Sequence, residues 1–409
     1  MANNNKHTGP NVPALRFPEF SGEWEKYRVS DILEFYPTNS LSWDQLEYDG
    51  GECLNLHYGL IHNGLPVQVN LSKDSLPSIK ADFFPKRYTF CQDGDIAFAD
   101  ASEDTNDVGK AIEFYYCAGK EAVCGLHTIH GRDKLGITVP GFKGYVFSSK
   151  VFHDQIKTIA QGTKVFSIKA SNFDEVVLGI PSKEEQKKIS RLLMAIDERI
   201  TTQSKIIEEL NILRSALIEE VFQSPCDTIA IGSVAYQTLE RNRKSIYTNV
   251  LSVSNRYGFI NQSEQFEDRN VASDDVRNYK IVRNGDFAYN PARINVGSIA
   301  MLRRFDSGIV SPMYVCFRID TSIVDPSYFE LFLKSRSFKD EMEIRLEGSV
   351  RRCLSFDAMR EIHIPCPDIK DQCTIAENIG KISSKLELEE GILAAYADQK
   401  AWLLNQMFI

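Results

Sequence analysis

Arginine, asparagine and lysine recur in short loops of this chain among glycine, serine and tyrosine, a mixture suited to recognising nucleic-acid bases and phosphates. An arginine guanidinium can bond guanine O6 and N7 together and an asparagine amide can do the same for adenine. Phosphates accept from lysine, serine and backbone N–H groups. In the second half of the chain the segments are Asn255-Arg256-Tyr257-Gly258, Asn290 to Ser298 with Arg293 and Asn295 between, and Gly348 to Arg352 with Ser349 and Arg351. In the first half they are Asn55 to Gly59 with His57 and Tyr58, Ala101 to Lys110, His127 to Lys134, and Gly162 to Lys164. Taken singly, each reads as an ordinary solvated loop. Their recurrence at equivalent places in two halves argues for a shared binding face.

Catalytic patterns are missing. There is no G-x-x-x-x-G-K-[ST] and no G-x-G-x-x-G after a strand. Tyr289-Asn290-Pro291 resembles the start of the Asn-Pro-Pro-aromatic loop of adenine methyltransferases, but Ala292 and Arg293 follow and no glycine-rich cofactor motif accompanies it. Asp95 and Asp286 each follow a glycine; turn chemistry, in which the carboxylate bonds nearby N–H groups, explains them better than a metal. The nine cysteines form no C-x-x-C pair and no Cys/His cluster at zinc spacing, so free thiols and no metal are expected.

The net charge of -9 runs against a nucleic-acid binder. Residues 1–180 hold 17 basic and 23 acidic side chains, whereas 226–365 hold 19 and 18, so any basic surface must be local. No apolar run approaches the ~20 residues that span a bilayer, and the start of the chain has no apolar core of a secretory signal. A cytoplasmic protein with no membrane partner is expected.

Any recognition loops must be carried by something, and the chain carries them twice. IPSKEEQKKIS from Ile180 and CPDIKDQCTIA from Cys366 align at an offset of 186, which pairs Pro181 with Pro367, Gln186 with Gln372 and Ile189 with Ile375. The register continues through Leu193 and Ile379, Ile196 and Ile382, Ile200 and Leu386, Ile206 and Ile392, Leu217 and Leu403, Phe222 and Phe408. Apolar residues, Leu210 among them, step by three and four, as on one face of a helix close to a heptad. Each segment predicts a helix of ~40 residues, or ~60 Å. Such helices need a partner for the stripe. An antiparallel coiled coil of the two satisfies both; the plainer alternative lays each helix on its own domain.

Upstream, YRVSDILEF matches IAIGSVAYQ, LHYGLI matches NRYGFI and GDIAFAD matches GDFAYNP at offsets of 202, 199 and 191. Short β-branched and aromatic runs bounded by glycine and asparagine predict mainly-β domains with a few helices, an α+β class. The expected division is a globular domain over 1–180, a long helix over 181–225, a second domain over 226–365 and a second helix over 366–409.

LRFPEFSGEWEKYRVSDI, IPSKEEQKKISRLLMAIDERI and CPDIKDQCTIAENI, in that order, resemble the specificity subunits of type I restriction-modification enzymes. The resemblance implies two target-recognition domains that read the halves of a bipartite double-stranded DNA site, with the helices as a ruler. It further implies a non-catalytic chain that docks two methyltransferase subunits and is joined by restriction (translocase) subunits. S-adenosylmethionine, ATP and magnesium would belong to those partners and no cofactor to this chain. A self-sufficient methyltransferase or nuclease, or a coiled-coil scaffold, is the alternative. The second copy departs from the motif at Asp371 and at Gly380, where a bend or fraying of the helix is expected because glycine costs ~1 kcal/mol against alanine.

Overall fold

In a computed structural model, residues 11–48, 50–255, 257–262, 275–348 and 352–409 are described. The chain forms two compact units: one runs to Gln203 and takes in Ile392–Ile409, and the other is Ser204–Gly391.

The first unit is built on two sheets. Five strands lie in the order Leu33–Tyr36, Thr128–Asp133, Ile96–Ala99, Ala111–Tyr116, Gln68–Asn70. Ile96–Ala99 is the GDIAFAD run, and its four side chains are all buried, as befits a strand covered on both faces. Four further strands lie in the order Glu121–Cys124, Cys53–Leu56, Ser78–Ile79, Leu46–Glu47. A core of Phe98, Phe147, Phe152 and Phe173 packs beside Ile189, Leu193, Ile196, Leu403 and Phe408. In the second unit, four strands lie in the order Ala235–Gln237, Val315–Ile319, Phe287–Tyr289, Ile299–Met301, flanked by the ribbon of Leu251–Ser254 and Gly258–Asn261.

The two long segments are helical over Lys183–Gln223 and Ile369–Gln406, 41 and 38 residues. The second helix runs unbroken through Gly380, contrary to the expected fraying; among the described residues, nothing beyond its own turn of helix lies within 4 Å of where its Cβ would sit. Within the first unit the helices pair antiparallel: Lys400 Nζ is 2.6 Å from Asp197 Oδ1, and Arg199 Nη1 is 3.3 Å from the Tyr396 hydroxyl. Within the second, Ile218 and Phe222 share a core with Ile379, and Leu217 and Ile375 pack against it. Ile200 packs on the first core, Leu386 is buried, and Ile382 and Leu210 are half-buried. Ile392, expected in the stripe, is 37% exposed. The heptad frame alone could not reveal this, because a straight helix drifts against a 3.5-residue repeat.

The duplication is visible in side-chain bonding. Gln186 Oε1 accepts from Val139 N–H (2.9 Å) while its amide donates to Ile137 O and Pro181 O. Gln372 Oε1 accepts from Asp325 N–H (2.9 Å) and its amide donates to Ile323 O and Pro367 O. All four positions are related by the same offset. Ser149 and Ser335, related by it too, each cap a helix, over Lys150–Ile159 and Arg336–Ile344.

Among the described residues, no helix is long and apolar enough to cross a membrane.

Candidate nucleic-acid interface

In the second unit the loop from Asn290 to Ser298 is closed on itself by backbone bonds. Asn290 N–H donates to Ser298 O (3.1 Å), Arg293 N–H to Asn290 O (2.9 Å) and Ser298 N–H to Arg293 O (3.1 Å). Gly297 completes the turn at φ +90°, a conformation L side chains resist. The closure presents Arg293 and Asn295 to solvent, and Arg293 has no side-chain hydrogen bond or ion pair among the described residues. Beside this loop lies a groove of about 600 Å³ lined by Asn255, Asn290, Arg293, Val296, Ser298, Met313 and Tyr314. Four residues singled out by type therefore converge, although they come from two segments of the chain.

The members are not equally available. Asn290 Oδ1 accepts from Ala292 N–H (3.1 Å) and its amide lies 3.7 Å from Met313 Sδ. Ser298 is buried and donates to Val253 O (2.9 Å), so it shapes the groove and its hydroxyl is spent. Tyr257, on the turn before Gly258–Asn261, is 66% exposed. Arg352 folds onto the helix Arg336–Ile344 and donates to Glu343 Oε2 (3.1 Å) and Glu343 O (2.9 Å), an exposed pair of low worth that a phosphate could replace. Leu354 N–H bonds Pro291 O (3.1 Å), which ties the segment after Arg352 to the groove loop. Arg256, Ser349 and Arg351 lie outside the described residues.

In the first unit the expected residues divide. Tyr58 is ringed by His57, His62 and His127 at centroid distances of 4.8, 5.8 and 5.1 Å. His127, held at φ +55°, pairs with Asp100 (3.0 Å), and Lys110 Nζ donates to His62 O (3.2 Å). Tyr58, Lys110 and His127 thus form one surface cluster with His62. Two members of the opening segment need correcting. Asn55 is fully buried and its Oδ1 accepts from the Asn39 amide (2.7 Å), so it cannot reach a ligand. His57 is also buried; its Nδ1 accepts from Gly59 N–H (3.1 Å), capping the helix Tyr58–His62, and its ring lies 4.4 Å from that of Trp43. Burial, with His127 adding, holds the His57 imidazole below its ordinary pKa, which suits an acceptor nitrogen.

Lys134 stands at the other end of the strand Thr128–Asp133 from His127 and donates to Ser30 O (2.8 Å), so it is separated from the cluster by six residues of strand, roughly 20 Å. Lys164 is exposed in the turn before Phe166–Ser167, a strand paired with Ala101–Ser102. Trp43, His62 and Met313 were missed by sequence reasoning. Their only signal was an aromatic or soft side chain close to a chosen loop.

Gly125 is what admits Asn55. A Cβ on Gly125 would run into the Asn55 amide and come within 2.9 Å of Leu56 O. Gly125→Ala is expected to cost about 1–3 kcal/mol by overpacking. Urea unfolding followed by tryptophan fluorescence checks it, since Trp24, Trp43 and Trp402 all belong to the first unit. An unchanged midpoint would show that the strand gives way freely.

Comparison with known proteins gives a consistent picture. Residues 21–211 match the family model described as the type I restriction modification DNA specificity domain. The chain is 21% identical over 274 residues to the type I restriction enzyme MjaVIII specificity subunit of Methanocaldococcus jannaschii, covering 59% of this chain and 64% of that protein. It is 24% identical over 212 residues to the MjaIX specificity subunit of the same organism, covering 49% and 44%. The matches thus span less than two thirds of the length of either relative. A crystal structure of the type I restriction-modification S subunit from M. genitalium superposes with a TM-score of 0.55 at 16% identity, covering 97% of this chain and 99% of that one. A chain from a structural study of complex assembly and conformational transition of the type I R-M system gives 0.56 at 14% identity, covering 93% and 96%. At such identities these likenesses establish the fold.

Proposed function

We propose that this chain, whose residues 21–211 match the type I restriction modification DNA specificity domain, is the sequence-reading subunit of a type I complex. Each unit reads one half of a bipartite DNA site. The observation that carries this reading is the groove of the second unit, where Asn255, Asn290 and Arg293 converge on a loop fixed by its own backbone. A preformed loop loses little conformational entropy on binding, and an unpartnered arginine at its rim has its full donor set free for guanine. In the first unit the cluster of Tyr58, Lys110 and His127 takes the corresponding part.

The chain supplies no chemistry of its own to the DNA. Methylation and cleavage, with S-adenosylmethionine, ATP and magnesium, belong to two methyltransferase subunits and to restriction (translocase) subunits. Ile212 and Leu213 on the first long helix and Leu388 on the second are 63%, 48% and 63% exposed, and a methyltransferase subunit that buried them would gain apolar area. With a net charge of -9, affinity rests on these local cations and on the partners.

Mapping of methylated adenines in cells carrying the whole system tests the reading. A motif in two parts around an unspecified gap is expected; a single continuous motif overturns it. Within the assembled complex, Arg293→Ala is expected to weaken site binding by about 1–3 kcal/mol and to relax preference at one base pair of one half-site. Unchanged affinity and unchanged preference would remove Arg293 from the interface.

A further inference from the structure

The first unit brings together three side chains that the sequence holds apart. Cys91 precedes the strand Ile96–Ala99, Cys124 ends Glu121–Cys124, and His130 lies within Thr128–Asp133. Their ligand atoms all lie within 4.8 Å of one another, and all three residues are buried. We propose that Cys91, Cys124 and His130 bind a zinc ion that staples these three segments of the first recognition unit.

Geometry supports zinc. The Cys91 and Cys124 sulfurs are 3.6 Å apart. Two thiolates about 2.3 Å from a tetrahedral zinc stand about 3.8 Å from each other, so the pair needs almost no movement. A disulfide would need the sulfurs to close to about 2.05 Å. His130 supplies a second, independent observation. Its Nε2 is 2.8 Å from Asp95 Oδ2, and its Nδ1 is buried with no hydrogen-bond partner among the described residues. A buried polar atom left unpaired costs about 1–3 kcal/mol, and such atoms are rare without a reason. A metal on Nδ1 supplies the missing partner.

The surroundings match what a zinc-bound imidazole requires. Such a histidine usually donates its other N–H to a carboxylate, which fixes the tautomer and raises ligand basicity. Asp95 fills that position and is itself held by Arg132, at 2.8 Å from Nε and 2.7 Å from Nη2. Cys117 points elsewhere, with its sulfur 3.8 Å from Cys91 O. Charge also balances, since two thiolates neutralise one dication and spare the core a net charge. Binding replaces two S–H bonds with two S–Zn bonds and releases two protons. Because those two protons must leave, uptake strengthens as pH rises.

The test uses the full-length chain purified without chelator. Elemental analysis is expected to find about one zinc per chain, and cobalt(II) added to the metal-free chain should produce thiolate-to-cobalt charge-transfer absorption. That absorption is expected to vanish in Cys91→Ser and in Cys124→Ser and to persist in Cys117→Ser. Retained tryptophan emission shows that each variant is folded. The wild-type chain decides the matter should a variant unfold: no retained zinc together with no charge-transfer band overturns the proposal. So does a Cys91–Cys124 disulfide, seen as the loss of two hydrogens by mass spectrometry, or an absorption that survives both serine variants.

Discussion

Asp95→Ala lowers the stability of the first unit by about 3–5 kcal/mol, the usual cost of stripping one partner from a buried charged network. Asp95 is 1% exposed and its carboxylate serves three groups: Arg132 through two bonds, His130 Nε2, and the backbone N–H of Gln92 (2.9 Å). Burial alone would raise the pKa of this carboxyl, yet the bonds from Arg132 and His130 outweigh it and hold the group below its usual value. Without it, His130 is left in the core with the hydrogen bond of Nε2 lost.

The duplicated aspartate is the control. Asp286 follows a glycine at φ +87°, as Asp95 does, and accepts from Arg283 N–H (2.9 Å) and Arg318 Nε (2.7 Å). The Arg318 side chain is 53% exposed and can rehydrate, and no histidine takes part. Asp286→Ala is therefore expected to cost only about 1–3 kcal/mol, chiefly for the orphaned turn. Tryptophan emission in urea follows the first unit, and hydrogen exchange of the Phe287–Tyr289 amides follows the second. Equal losses in the two variants would show that the Asp95 network is no more than a turn.

The contrast between these two turns shows what was legible in the sequence. The repeated Gly-Asp pair announces itself by spacing, because the chemistry of a turn is local: a glycine for the positive φ and a carboxylate for the next N–H. The long helices are legible for the same reason, since a stripe at three and four residues is written along one segment. The convergence of Asn255, Asn290, Arg293 and Ser298 could be sensed only as a recurrence of residue types. Their grouping depends on strand pairing between segments tens of residues apart.

Where composition misled, a non-local contact was responsible. Asn55 and His57 read as loop residues beside Tyr58, but Cys53–Leu56 is an inner strand, and room for the Asn55 amide exists because Gly125, far along the chain, lacks a Cβ. Cysteine spacing gave no hint that Cys91 and Cys124 meet, because a parallel pairing of Glu121–Cys124 with Cys53–Leu56 and a bridge from Phe90 to Val123 bring them together. Spacing rules for zinc describe ligands carried on one hairpin or knuckle, and ligands gathered from separate strands escape them.

Gln186→Ala and Gln372→Ala are each expected to destabilise their own unit, by about 2–4 kcal/mol for the more buried Gln186 clamp and less for Gln372, because each strands three backbone groups at once. Both side chains are 0% exposed. Each accepts one N–H from the loop entering the next helix or turn and donates to two carbonyls, so the amide needs both its oxygen and its nitrogen. Alanine's better helix propensity returns only a few tenths of a kcal/mol. Glutamate discriminates the mechanism. Gln186→Glu keeps an acceptor for Val139 N–H but turns a carboxylate oxygen toward Ile137 O and Pro181 O, so it is expected to cost at least as much as alanine although it fills the same volume. If packing alone mattered, Gln186→Met, which fills nearly the same volume without polar groups, would be nearly neutral, and that result would refute the role given to the bonds. Because the same three-bond clamp recurs at the same offset in the second unit, Gln372→Glu must follow the same order, read by hydrogen exchange at Val324 and Asp325.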